Sequence, residues 1–173
     1  MPRPDPILDA VASCPTVEAL ATGLPTSGTV AQVGGVIGSL GPLVLAALHR
    51  ANRERVFVAL APTPLDAITA EADLETVLGG GCASHLYPQK EALPYEESEP
   101  HLEIGGLRVE AVQALFSGRT QILVTPPRAL QERVPIPERL AELRRTFRAG
   151  DQVVFSEVSV QTGRRRSDPG GRR

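Results

Sequence analysis

The chain has 173 residues, a formal net charge of -2 and 42% apolar residues, which suits one domain, or one domain and a piece of another, with a real core. That charge gives no overall pull toward nucleic acid or membrane, and no run approaches ~18 uninterrupted apolar residues, so no membrane span is expected. Aromatics at 3% and no Trp leave Leu, Val, Ile and Ala to build the core.

Cys14 and Cys82 belong to no C-x-x-C pair, and the N-terminus lacks the apolar run of a signal peptide. A reduced, cytoplasmic setting is the simple expectation. His49, His85 and His101 lack ligand spacing, so no metal is expected.

Residues 1–27 read as an N-terminal helical segment. Ile7, Leu8, Val11 and Ala12 share one helical face, with Asp5 as cap and Pro6 at the first position. A second short helix over 16–21 is capped by Thr16 and ended near Gly23. A first strand is expected over 28–33. It leads into the glycine loop Gly34-Gly35-Val36-Ile37-Gly38-Ser39-Leu40-Gly41-Pro42 and then an apolar helix to Ala51.

Strand, glycine loop and helix make the frame of a phosphate-binding loop, G-x-x-x-x-G-K-[ST]. Gly35 and Gly38 are in place and Ser39 precedes the helix. Gly41 stands where a lysine reaches the phosphates, and Pro42 where a hydroxyl holds magnesium. Lys90, far away in sequence, is the one lysine of the chain. One reading is a nucleotide-binding fold that has lost its nucleotide site. The other is a tight strand-to-helix turn that never bound anything.

Residues 55–61 form a continuous apolar run, expected as a strand buried on both faces. Thr63 caps the next helix, with Pro64 at its first position. Leu65, Ile68, Ala72, Leu74, Val77 and Leu78 are expected inward and Glu71, Asp73 and Glu75 solvated, before Gly79-Gly80-Gly81 stops it. A short strand over 82–86 precedes a loop with three prolines, Pro88, Pro94 and Pro100. Helical spacing returns over 103–116, with Ile104, Leu107, Val112, Ala114 and Leu115 inward and Gly118 beyond its end. Residues 120–125 are the next buried strand, and 126–130 begin a short helix.

Alternating strands and helices predict an α/β fold: a mostly parallel sheet covered on both sides, three layers in the manner of P-loop NTPases. Each fully buried Leu, Val or Ile contributes ~1.5–3 kcal/mol, so a charge at Val58 or Val124 is expected to unfold it. Residues 140–155 read as the first strand of a further unit. Residues 156–173, with five arginines among Gly, Ser, Asp and Pro, read as a disordered basic tail.

Leu93-Pro94-Tyr95-Glu96, then Ser98-Glu99-Pro100, Arg108, Ile122-Leu123-Val124-Thr125-Pro126 and Ala129-Leu130 follow one another in order and spacing. In this the chain resembles the N-terminal, UvrB-like region of the bacterial transcription–repair coupling factors (Mfd) over about 30–151. The resemblance implies that 28–139 is the first unit of the module those proteins share with the excision-repair protein UvrB. It implies a degenerate glycine loop, no bound cofactor and no catalysis by this segment, although the full-length family is an ATP-dependent DNA translocase. Its implied partners are UvrA and RNA polymerase for the full-length protein, UvrA being held mainly by the second unit, so strong binding by this segment is not expected. No insertion matching UvrB's tyrosine-rich DNA-clamping hairpin fits between Leu86 and Arg108. The arginine-rich end resembles nothing in the family, and a truncated or shifted reading frame is the expectation there.

A nucleotidase also needs a metal-holding acid at the end of a buried strand. The runs end in Ala61-Pro62-Thr63 and Thr125-Pro126-Pro127. Glu96, Glu97 and Glu99 suit a solvated acidic loop better than a paired-carboxylate site, and no G-x-S-x-G elbow surrounds Ser39. Two alternatives stay open: a nucleotide-binding enzyme with an atypical loop, which the lack of lysine opposes, and a stand-alone nucleic-acid binder with a basic tail, which the net charge opposes.

Overall fold

The computed structural model describes residues 6–79, 83–90 and 102–132. Backbone contacts divide the chain into units Met1–Pro137 and Glu138–Arg173, and every described residue lies in the first. Among the described residues there are six helices and three strands: α1 Pro6–Ala12, α2 Pro15–Thr22, α3 Leu40–Ala51, β1 Phe57–Leu60, α4 Pro64–Leu78, β2 Ser84–Leu86, α5 Leu102–Phe116, β3 Ile122–Thr125 and α6 Pro127–Leu130. None of these helices is long and apolar enough to cross a membrane.

The fold is mixed α/β around a three-stranded, all-parallel sheet of order β1-β3-β2. The strand last in sequence is central. Ile122, Leu123, Val124 and Thr125 are all buried, as a continuous apolar run predicts for a strand covered on both faces. The register sets Phe57 and Ser84 beside Ile122, and Ala59 and Leu86 beside Val124. These side chains line one face. Ile122 and Val124 pack there in a single core with Leu8 of α1, Ala46 and Ala47 of α3, and Ala67 and Leu74 of α4.

Three polar ties position this core. His49 of α3 is fully buried and its Nε2 lies 2.7 Å from Gln121 Oε1; the Gln121 amide nitrogen donates to the Arg53 carbonyl, which makes Oε1 the acceptor and His49 the donor. Arg50 Nη1 meets Asp9 of α1 at 2.5 Å. At the start of α4 the Thr63 hydroxyl accepts the Asp66 amide at 3.1 Å, the cap expected of Thr63 ahead of Pro64, and also donates to Asp66 Oδ2 at 2.7 Å. Gly79 ends that helix at φ +79, a left-handed conformation that favours glycine.

Several expectations are corrected. No strand forms over 28–33, where Val30 is 91% exposed. Val30 and Val33 are three apart, so at a period of two they fall on opposite faces and offer no continuous apolar side. Among the described residues β1 is an edge strand, and it is not doubly buried. Phe57 and Ala59 face the core, whereas Val58 at 52% and Leu60 at 57% exposure face outward. Helix α5 packs against β2, leaving the outer face at β1 open among the described residues, so the sheet is not covered evenly on both sides.

In α4 the buried stripe is Ala67, Ala70, Glu71, Leu74 and Val77, a run at helical spacing, with Leu65 and Ile68 on the exposed side. Glu71 is therefore half-buried rather than solvated. The N-cap of α2 is Cys14 followed by Pro15, not Thr16. In α5, Leu107 is 41% exposed and Arg108 takes the buried position beside it. The Asp5 cap, the 140–155 strand and the 156–173 tail lie outside the described residues.

Candidate functional site

The glycine loop sits at the start of α3. Gly35 and Gly38 adopt φ +76 and +57, so both glycines serve a left-handed turn. A Cβ added to either would meet nothing within 4 Å, so no close approach of neighbouring structure requires them. Ser39 is the N-cap of α3 but its side chain makes no capping hydrogen bond, and Gly41 and Pro42 fall within the first turn.

A phosphate site at a helix start depends on amides pointing at the anion. Here the Leu40 amide already donates to Ile37 O at 3.3 Å, and the regular helical bonds begin with Leu43 to Ser39 O at 3.1 Å. Pro42 has no amide hydrogen. Ser39 and Gly41 carry the other amides of the helix start, without a lysine beside them. Gly35, Gly38, Ser39, Gly41 and Pro42 are thus brought together in one turn, in which Pro42 lacks an amide hydrogen and no lysine follows the glycines.

The chemistry that the fold does concentrate lies elsewhere, past the carboxyl ends of β2 and β3. This is the edge at which parallel α/β sheets take their ligands. Tyr87 leaves β2 and is buried; its amide donates to Val124 O at 2.8 Å, and its carbonyl accepts the Thr125 hydroxyl at 2.8 Å. Arg108 of α5 reaches across to it. The guanidinium carbon lies 4.2 Å from the Tyr87 ring centroid, Nη2 donates to the Tyr87 hydroxyl at 2.5 Å, and Nη1 donates to Pro88 O at 2.6 Å.

The counter-charge is Glu132, just beyond α6. Its Oε2 is 3.0 Å from Arg108 Nη2 and 3.9 Å from Lys90 Nζ, and its Oε1 accepts the Lys90 amide at 3.2 Å. Burial pushes the Tyr87 phenol above its usual range, and Glu132 adds to that, against the opposing pull of Arg108. A second perturbed acid lies apart from this cluster. Burial, then Glu75, raises Glu71, against a hydrogen bond from Ser84 Oγ at 3.5 Å.

Of the motif residues read from sequence, Arg108 is placed at this edge, whereas Leu93, Pro94, Tyr95 and Glu96 lie outside the described residues. Thr125 belongs to the motif run 122–126, but sequence reading did not single out Tyr87 or Glu132, nor Lys90 as a member of a site. One signal was present: a lone arginine among the apolar positions of α5 needs a buried partner, and the tyrosine ending a short strand is a natural one. No group of His, Cys, Asp and Glu among the described residues is placed to hold a metal. No family model, curated protein or solved structure matches this chain.

The cluster can fix the end of the sheet and neutralise its own cation. Among the described residues it does not bring a nucleophile and a general base together.

Proposed function

We propose that this chain is a non-catalytic interaction module: the first, UvrB-like unit of a transcription–repair coupling factor, working in transcription-coupled nucleotide-excision repair. On this reading it descends from a three-layer P-loop nucleotide-binding fold whose nucleotide site has been lost. Its role is to contact other domains of the same protein and to support recruitment of UvrA and RNA polymerase by the full-length translocase.

The observation that carries the reading is the start of α3. One of the amides at its start, that of Leu40, is satisfied by Ile37 O, another is deleted by Pro42, and Gly41 stands in the place of the lysine. Arg108 supports it from the other end of the argument. This motif residue is engaged by Tyr87, Pro88 and Glu132, so it has a structural task at the edge where an enzyme of this class would hold substrate. The order of Leu93-Pro94-Tyr95-Glu96, Arg108 and Ile122-Leu123-Val124-Thr125-Pro126 supplies the family.

The test is a UvrA pull-down with two proteins: the 173-residue chain, and the same chain joined to the second unit of a family member. Stable specific interfaces bury ~800 Å² per partner, and the second unit is expected to supply most of that area. Submicromolar binding is expected for the joined protein only. Binding of that strength by the chain alone would move the interface onto the first unit, and no binding by either would overturn the family reading.

A further inference from the structure

We infer that the outward side of α5 is a pairing surface for a second copy of this chain, the two helices lying antiparallel about a twofold axis. The inference goes beyond the reading above and does not depend on it.

Helix α5 is apolar on two opposite sides. Ile104, Ala111, Val112 and Leu115 turn into the fold, buried or half-buried. The opposite side carries Leu102 at 92%, Phe116 at 63% and Val109 at 42% exposure. A helix that is apolar all round belongs in a buried setting, and no described residue covers this side. An open groove of about 690 Å³ runs along it from Leu102, past Gly105, Gly106, Val109 and Gln113, to Arg119. Two glycines inside a helix weaken it. A Cβ on either would meet nothing within 4 Å, so no described neighbour requires their small size.

What fits this side is a copy of itself. Gly106, Val109, Gln113 and Phe116 recur at intervals of three, four and three, so they share one side of the helix in an order symmetrical about position 111. An antiparallel copy centred there sets Phe116 of one chain over Leu102, Gly105, Gly106 and Val109 of the other. Those four have the i, i+3, i+4, i+7 spacing of a hole on a helix surface, and the glycines leave that hole open. The twofold axis makes the same contact twice. The same register opposes exposed Glu103 to exposed Arg119, so an acid meets a base at each end of the pair. A parallel pair would instead set Phe116 on Phe116 and Glu103 on Glu103.

One side of a 15-residue helix, about 22 Å long, falls below the ~800 Å² per partner of a standard complex. The dimer is therefore weak and reversible.

Sedimentation equilibrium of the full 173-residue chain over about 10–300 µM tests this. The parent is expected to pass reversibly from monomer to dimer. Gly106→Leu fills the hole. It is expected to stay monomeric yet melt no lower than the parent, because the added side chain enters open space and leucine is the better helix former. Glu103→Arg and Arg119→Glu, each alone, are expected to weaken the dimer at least about fivefold at low salt by setting like charges together. Their equimolar mixture is expected to recover the parent's affinity, since every 103–119 contact in the mixed dimer again joins an acid to a base. That recovery requires two antiparallel copies; neither a structural role of the two residues nor a foreign partner produces it. A parent that stays monomeric throughout would overturn the proposal. So would a dimer that Gly106→Leu leaves intact, or a mixture no tighter than the single variants.

Discussion

Arg108 and Tyr87 form one unit: the guanidinium carbon stands 4.2 Å from the ring centroid while its Nη2 donates to the phenol of the same residue at 2.5 Å. Removing the arginine leaves the Tyr87 hydroxyl and the Pro88 carbonyl without their donor and the Glu132 carboxylate without its nearest counter-charge. Arg108→Met keeps most of the volume and isolates that loss. We expect destabilisation of about 3 kcal/mol, the lower end for breaking a buried ion pair, because Glu132 keeps some contact with water. Arg108→Lys should not recover it, since one ammonium cannot reproduce the fork that reaches Tyr87 and Pro88 together. Urea unfolding of the three proteins measures both differences.

Val58 and Val124 separate edge from centre. Val124 is fully buried in the core shared by α1, α3 and α4, whereas Val58 is 52% exposed on β1. Val124→Asp should abolish cooperative unfolding by circular dichroism. Val58→Asp should leave the fold intact with a loss of about 1 kcal/mol or less, in the range of surface changes and of strand preference. Equal damage from both would mean that β1 is covered on both faces.

Glu71 gives a pH signature. Burial raises its folded carboxyl above the ordinary value of 4.5, so the folded state binds this proton more tightly than the unfolded state. Its ionised form therefore opposes folding. That penalty is fully present above the raised value and fades as pH falls toward 4.5. Glu71→Gln keeps an acceptor for Ser84 and removes the charge. It should raise the melting temperature at neutral pH, with the advantage shrinking as pH falls through the raised value. An advantage independent of pH would contradict the assignment.

Much of the scaffold was legible because its signals were local. Thr63-Pro64 and Gly79 bounded α4, and the run 122–125 announced a doubly buried strand. What was misread depended on neighbours distant in sequence. The run 55–61 is as apolar as 122–125, but burial on both faces needs a layer packed on each face, and among the described residues only the face of β1 that carries Phe57 and Ala59 is covered. The glycine pattern suggested a strand over 28–33, which Val30 and Val33, falling on opposite faces, cannot supply. The candidate site was legible in one residue, Arg108. Its partners Tyr87 and Glu132 are 21 and 24 positions away (108 minus 87, and 132 minus 108), and only the β2-α5-β3 crossover brings them together.

The central claim is that the start of α3 no longer holds a nucleotide. Equilibrium titration of the chain with labelled ATP and magnesium tests this most directly, with a Ser39→Ala, Gly38→Ala variant as control for the loop. The account predicts no saturable binding in the micromolar range and no difference between the two proteins. Micromolar saturation that the double substitution abolishes would contradict it and restore a working nucleotide site.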